Sequence, residues 1–178
     1  LYVLSADNKL YSCTDINTLQ FEESTLMGAY TPISLIGVYE NNLLAIVKDN
    51  EEYNHATINA TNQTITLSPM NEEFPIKGFS QPITFTSKWT RDQIVIACGE
   101  KRDGSLTNAV WGFDGSNWAI LNNAVSGGTL ITPRSGVVMF TYYTYEYNSE
   151  IDLHTKVLTY FIVGGWDGEK MTNDLYYT

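Results

Sequence analysis

A chain of 178 residues with 43% hydrophobic side chains is long enough to bury a sizeable core, and its composition argues against disorder. Its 10 basic and 20 acidic residues give a formal charge of −10, which disfavours attraction to phosphate backbones and anionic membrane surfaces, so nucleic acid is not an expected partner. No window approaches the roughly 18 consecutive apolar residues of a membrane helix, and no basic-then-apolar leader stands at the N-terminus, so the chain reads as soluble, without membrane insertion.

In chain order, short runs rich in Val, Ile, Thr, Tyr and Phe alternate with clusters of Asn, Asp and Gly, and a helical period is almost absent. This pattern predicts an all-β protein. The first strands expected are Leu1–Ser5, Leu10–Thr14 and a short one over Leu19–Glu22. Next come Ile33–Tyr39, Leu43–Val47, His55–Asn59 and Thr64–Ser68, and then Ile83–Ser87, Gln93–Cys98, Asn108–Phe113 and Trp118–Leu121. The last three are Gly136–Tyr143, Val157–Val163 and Leu175–Tyr177. Leu1 opens inside a strand-like run with no initiator Met, which implies that a leader or an upstream domain has been removed. That missing piece would have carried the address. Cys13 and Cys98 each lie in an apolar, strand-like run and read as buried free thiols, with a disulfide as the alternative. Neither belongs to a CxxC or to a zinc-like spacing with histidine, so no metal or cofactor is expected.

The chain repeats itself. Gly99–Leu121 contains a DG turn, then Thr-Asn, then x-aliphatic-aromatic, and Gly164–Thr178 contains the same series. Asn8-Lys9-Leu10-Tyr11 is another copy of the Asn-x-aliphatic-aromatic step, and a degenerate one begins at Asn54. The four Asn positions lie 46, 54 and 65 residues apart, spacings on the scale of a propeller blade. Each piece has a physical role. Gly164-Gly165 permits positive φ and close backbone approach, and the DG pair supplies a turn. Asn can bond its own backbone at the start of the third strand. Aliphatic and aromatic residues then alternate between the two faces, and Trp118 is expected to present an apolar plate to an adjacent blade.

An apolar strand ending in Gly-Gly, a loop, Asn-x-aliphatic-aromatic and a Trp in the closing strand together resemble the kelch repeat. Phe161–Tyr177 carries its first half, and Ile94–Leu121 carries nearly all of it, with Cys98-Gly99 in place of Gly-Gly. The DGSNW turn resembles the Asp-box of sialidase-type propellers without its leading Ser. As a whole the chain is similar to a family of exported gut-bacterial propeller proteins, which implies a secreted, periplasmic or cell-surface location. The resemblance implies a β-propeller of four-stranded blades: a partial one over residues 1–25, complete ones over 33–69 and 82–122, and a partial one over 136–178. Closed rings ordinarily have about six or seven blades of roughly 45 residues. The expectation is therefore a propeller domain or propeller fragment, completed by additional blades or by self-association.

In kelch-like propellers the loops from second to third strand and from fourth to next first strand share one face. Here these are Asp49–Tyr53, Glu100–Leu106 and Gly165–Thr172, together with Glu23–Pro32, Met70–Pro82 and Asn122–Pro133. The candidate ligand-binding residues are Arg102, Asp103, Trp166 and Asp167, where Trp beside carboxylates suits a sugar ring with hydroxyls at its edge. The alternative is that Trp166 packs on the next blade and the charges are solvated. The acidic run Asp49, Glu51 and Glu52 lacks the spacing of a known calcium loop. Enzyme constellations are poorly represented. A sialidase needs three converging arginines, and the chain has only Arg91, Arg102 and Arg134, with Arg91 assigned to the opposite face. A copper oxidase needs paired His and Tyr, whereas His55 and His154 fall in unrelated loops. A sugar epimerase, working through scattered carboxylates, is the better enzymatic alternative. The leading expectation is a binding or scaffold protein for a carbohydrate or protein ligand. The tyrosine-rich stretch Phe140–Tyr147 is expected to form a long hairpin with its tyrosines buried between blades, or else a protruding finger for a protein partner.

Overall fold

The computed structural model of the chain describes residues 1–85, 93–121, 131–150 and 152–177. The chain divides into two compact units, Leu1–Lys77 and Gly78–Thr178. Each contains two antiparallel sheets in which every strand pairs with its neighbour in sequence. Such meanders form when short alternating runs are separated by tight turns, because a reversal of two to five residues brings the next run alongside in register.

In the first unit, sheet one comprises β1 (Tyr2–Leu4), β2 (Leu10–Ser12) and β3 (Glu22–Glu23). Sheet two comprises β4 (Thr31–Tyr39), β5 (Asn42–Asp49), β6 (Glu52–Asn59) and β7 (Thr64–Pro69). A 3-10 turn, Thr25–Met27, joins the sheets, and the Ser24 Oγ caps it by accepting from the Leu26 N–H at 3.3 Å. Alternation sorts the side chains by face. Leu43, Ala45 and Val47 of β5 point to the same side as Ala56 and Ile58 of β6, and with Leu10 and Met27 they form a core from which water is excluded. After β7 the chain is equally buried at Phe74 and Ile76, and the Ile76 carbonyl accepts from the Ser34 hydroxyl at 2.7 Å.

In the second unit, sheet three comprises β8 (Ile83–Phe85), β9 (Gln93–Glu100), β10 (Leu106–Phe113) and β11 (Trp118–Ile120). Sheet four comprises β12 (Val138–Asn148), β13 (Leu153–Trp166) and β14 (Met171–Tyr177). Val95 and Ala97 of sheet three pack with Met139 of sheet four, with Ile83, Val110, Ile162 and Tyr176 against them. The two sheets repeat one another bond for bond. Gly99 pairs with Thr107 and Ala97 with Val110, across a shift of register. Gly165 pairs with Thr172 and Val163 with Leu175, across the same shift. Cys98 and Gly99 have φ of 61° and 117°, and Gly164 and Gly165 have 66° and 100°. The cysteine that replaces glycine thus takes the same left-handed conformation.

The fold is the all-β one expected; nine of the fourteen predicted strands lengthen, by one to seven residues, Leu1–Ser5, Leu10–Thr14, Leu19–Glu22 and Trp118–Leu121 shorten, and the end of Ile83–Ser87 lies outside the described residues. Three local expectations are corrected. Trp118 lies on Phe113, its cross-strand neighbour in the same sheet, with ring centroids 5.1 Å apart, because the DGSNW turn folds β11 directly onto β10. The bond from Asn108 reaches beyond its own strand, from Nδ2 to the Ile131 carbonyl at 2.8 Å. The long hairpin of β12 and β13 forms, yet Tyr142, Tyr143, Tyr145 and Tyr147 are exposed. Among the described residues the pairing of β14 with β13 reaches Tyr177 and Phe161, and from Tyr142 onward only β12 and β13 pair. Cys13 and Cys98 are each buried and free.

Candidate functional site

Three Asp-Gly turns share one device. The Asp103 carboxylate accepts from the N–H and hydroxyl of Ser105, at 2.9 and 2.7 Å. The Asp114 carboxylate accepts from Ser116 and Asn117, and that of Asp167 accepts from Glu169 and Lys170, both at 2.9 Å. A short acidic side chain bonding the backbone two or three residues on is the turn chemistry expected of Asp. The Lys170 and Glu169 N–H groups hold the Asp167 carboxyl below the usual carboxylate range, and the hydroxyl and N–H of Ser105 do the same for Asp103. Both are therefore fixed acceptors at neutral pH. A side chain built at Gly168 would meet Leu106 at 3.8 Å, so the β13–β14 turn lies beside the start of β10.

Arg134 organises this end of sheet four. It is fully buried, and its backbone ties the segment before β12 to sheet three: Gly99 N–H to Arg134 carbonyl at 2.8 Å, and Arg134 N–H to Thr107 carbonyl at 3.3 Å. Its side chain ties the same segment to sheet four. Nε donates to the Thr132 carbonyl at 3.0 Å. One terminal nitrogen donates to the Gly164 carbonyl at 3.0 Å and to the Thr172 hydroxyl at 2.8 Å. The other donates to the Thr132 hydroxyl and to Asp174 and Tyr176, the last two at 3.3 and 3.4 Å. The guanidinium also lies 5.1 Å from the centroid of the Tyr176 ring. Sequence reading only counted this residue among the arginines. Its position just after a proline carries no periodic signal, and its acceptors on sheet four are 30 to 42 residues away.

Beside this network is a depression of about 680 Å³, lined by Thr132, Asp167, Lys170, Met171, Thr172, Asn173, Asp174 and Tyr176. Its rim offers carboxylate, ammonium, amide, hydroxyl and phenol groups within one concavity, the mixture that recognises a polar, hydroxyl-bearing ligand. Of the four residues expected from sequence, it takes in Asp167. Arg102 and Asp103 sit exposed on the neighbouring β9–β10 turn. Trp166 is 41% exposed next to Met171, and its backbone exchanges two hydrogen bonds with Ser135, of 2.9 and 2.8 Å. Sequence reading does not name Lys170, Asn173, Asp174 or Tyr176 as ligand-binding candidates, although Asn173 reads as the start of a repeated step that also contains Asp174 and Tyr176.

The other candidates do not line this concavity. Asp49, Glu51 and Glu52 stand around the β5–β6 hairpin, where Glu51 pairs with Lys48 at 2.6 Å. Among the described residues no group of three or more His, Cys, Asp or Glu side chains is placed to hold a metal ion. The histidines lie on strands and not in loops. His55 is buried in β6 edge-on to Phe74, with ring centroids 4.4 Å apart, and His154 stands on the β13 ribbon against Tyr147 at 5.5 Å. Arg91 lies outside the described residues. Arg134 spends its donors on protein acceptors.

Repeated antiparallel meanders with matched bulges, stacked face to face through apolar cores, define a β-propeller. A family model agrees over the whole length: residues 1–178 match the DUF6242 beta propeller domain, and the chain belongs to that family. No curated protein matches it.

Proposed function

We propose that this propeller is a binding or scaffold module that recognises a carbohydrate through the loop-side depression of sheet four. The observation that carries the reading is the convergence of Asp167, Lys170, Asn173, Asp174 and Tyr176 on one concavity of about 680 Å³. Hydroxyl groups both donate and accept, so a rim that carries carboxylates, an ammonium and an amide fits a sugar ring in several orientations. Trp166, at the strand end beside Met171, adds an aromatic surface suited to the apolar face of such a ring. The kelch-like character of the repeat is part of the same proposal. It rests on the equivalence of Cys98-Gly99 with Gly164-Gly165 and on the Asn108 and Asn173 steps that follow.

The test is a glycan-array screen followed by calorimetry of the best ligand against wild type, Lys170→Ala, Asn173→Ala and Trp166→Ala. Each substitution is expected to weaken binding by about tenfold, or about 1.4 kcal/mol. Undiminished binding by all three variants would move the site elsewhere. A protein ligand captured in place of any glycan would leave the binding role standing and replace the ligand class.

A further inference from the structure

We infer that the turn end of the β12–β13 hairpin is a docking surface for a basic segment of a protein partner, whose lysine or arginine is seated between the Tyr147 ring and the Asp152 carboxylate. The surface begins with a row of rings. Tyr143, Tyr145 and Tyr147 alternate in register with Met139, on the side of β12 that Met139 buries against sheet three, yet they are 50, 68 and 58% exposed. None of them lines the depression of sheet four, so this surface is independent of the carbohydrate reading.

The chemistry of the pair selects a cation. The Tyr147 hydroxyl donates to the Asp152 carboxylate at 2.7 Å, and both residues are exposed. His154, on the strand opposite, stands against the same ring with centroids 5.5 Å apart. A ring face attracts cations, and a phenol that donates to a carboxylate carries more electron density in its ring. The carboxylate keeps a second oxygen that can accept from an ammonium or a guanidinium. The chain uses such a pair twice on its own cations. Arg134 lies 5.1 Å from the centroid of the Tyr176 ring and 3.3 Å from Asp174. Lys48 lies 5.8 Å from the centroid of the Tyr53 ring and 2.6 Å from Glu51. Tyr147 and Asp152 make a third tyrosine–carboxylate pair, and this one faces solvent.

Two further properties favour a basic protein segment. Between residues 140 and 158 the charged side chains are Glu146, Glu150 and Asp152 against Lys156 alone, in a chain of net charge −10, so basic segments are attracted and anionic surfaces repelled. Tyrosines interspersed with Thr, Ser and Asn also offer a large, rigid contact area at low entropic cost, a composition suited to binding protein.

Fluorescence anisotropy of a labelled peptide of alternating Arg and Ser, titrated with the 178-residue chain, tests this, with a Glu-Ser peptide of equal length as the control. The wild type is expected to bind the Arg-Ser peptide and not the Glu-Ser one. Tyr147→Leu keeps every charge, and Asp152→Asn keeps the size and suits the left-handed backbone there, with its φ of 52°. Each is expected to weaken binding at least about fivefold. Glu52→Gln removes the same charge from the β5–β6 hairpin and is expected to leave the affinity unchanged. Circular dichroism and melting curves verify that each variant folds. A wild type that does not bind the Arg-Ser peptide, or binds both peptides alike, would overturn the proposal. So would undiminished binding by Tyr147→Leu, or a Glu52→Gln chain weakened as much as Asp152→Asn, since attraction would then follow net charge alone.

Discussion

Arg134 shows how a single residue can hold two sheets to one segment, its backbone bonding sheet three and its side chain sheet four. Its donors satisfy the Thr132 and Gly164 carbonyls and the Thr172 hydroxyl, and its buried charge is offset by a half-exposed Asp174. Lysine keeps the charge but has neither the planar fork nor enough donors. Arg134→Lys is therefore expected to lower unfolding stability by about 2–4 kcal/mol, read in urea denaturation as a reduced midpoint with unchanged slope. Gly165 is constrained twice, by a φ of 100° and by the Ser135 carbonyl and Val137 methyl, each 2.8 Å from where a Cβ would stand. Gly168 has a similar φ, but a Cβ there would meet only the Leu106 methyl at 3.8 Å, an ordinary van der Waals contact. Gly165→Ala is expected to cost about 2 kcal/mol more than Gly168→Ala, since only the first adds a backbone clash to the strain. Equal melting temperatures for the two would remove the packing argument. Burial pushes the His55 imidazole from 6.5 down to about 4. Between those values the unfolded chain binds more protons than the folded one, so stability falls as pH drops through this window, by on the order of 3 kcal/mol. In His55→Gln this component should vanish, leaving a flatter stability profile from pH 6.5 to 4.

At the scale of the element, the hairpin of β12 and β13 divides into two regimes. Near Val138 and Val163 it belongs to a three-stranded sheet with Met139 and Ile162 in a core, whereas beyond Tyr142 and Thr159 only β12 and β13 pair among the described residues. A two-stranded ribbon in water is marginal, because few of its hydrogen bonds are shielded by packing. Amides of residues 143–150 are expected to exchange with deuterium at least about a hundredfold faster than those of residues 160–163. Equal protection along the hairpin would mean that something covers the ribbon in solution. The strand itself was legible, since FTYYTYEY reads as β by residue type alone. Whether its tyrosines are buried was not legible, because that depends on whether a third strand and a facing sheet extend as far. The Asn108 bond to Ile131 was hidden for a similar reason: a side-chain amide bonds as well to a distant carbonyl as to a local one.

For the whole molecule, each unit has its own core and carries one buried thiol, Cys13 in the first and Cys98 in the second. Burial pushes the Cys98 thiol up to about 12, against a smaller opposing pull from Arg134. At pH 8 about one such thiol in ten thousand is ionised, and a thiol reagent needs the thiolate. Cys98 is therefore expected to stay unmodified in native protein and to react as its unit unfolds, its labelling rate following denaturant concentration. Rapid native labelling would show that the surroundings of Cys98 open without unfolding.

Two kinds of information separate at this scale. The sequence by itself determined the all-β class, the order of the strands and the repeated turn-and-Asn unit, because alternation, Asp-Gly turns and β-branched runs act over a few residues and are written locally. The propeller followed from repetition of that unit. Only the tertiary structure decided that Arg134 is a buried tie, that Asp167 shares a concavity with Lys170, Asn173, Asp174 and Tyr176, and that Tyr143, Tyr145 and Tyr147 stand exposed. Each of these depends on which segments distant in the chain meet in space, and a local pattern does not encode what covers its outer face.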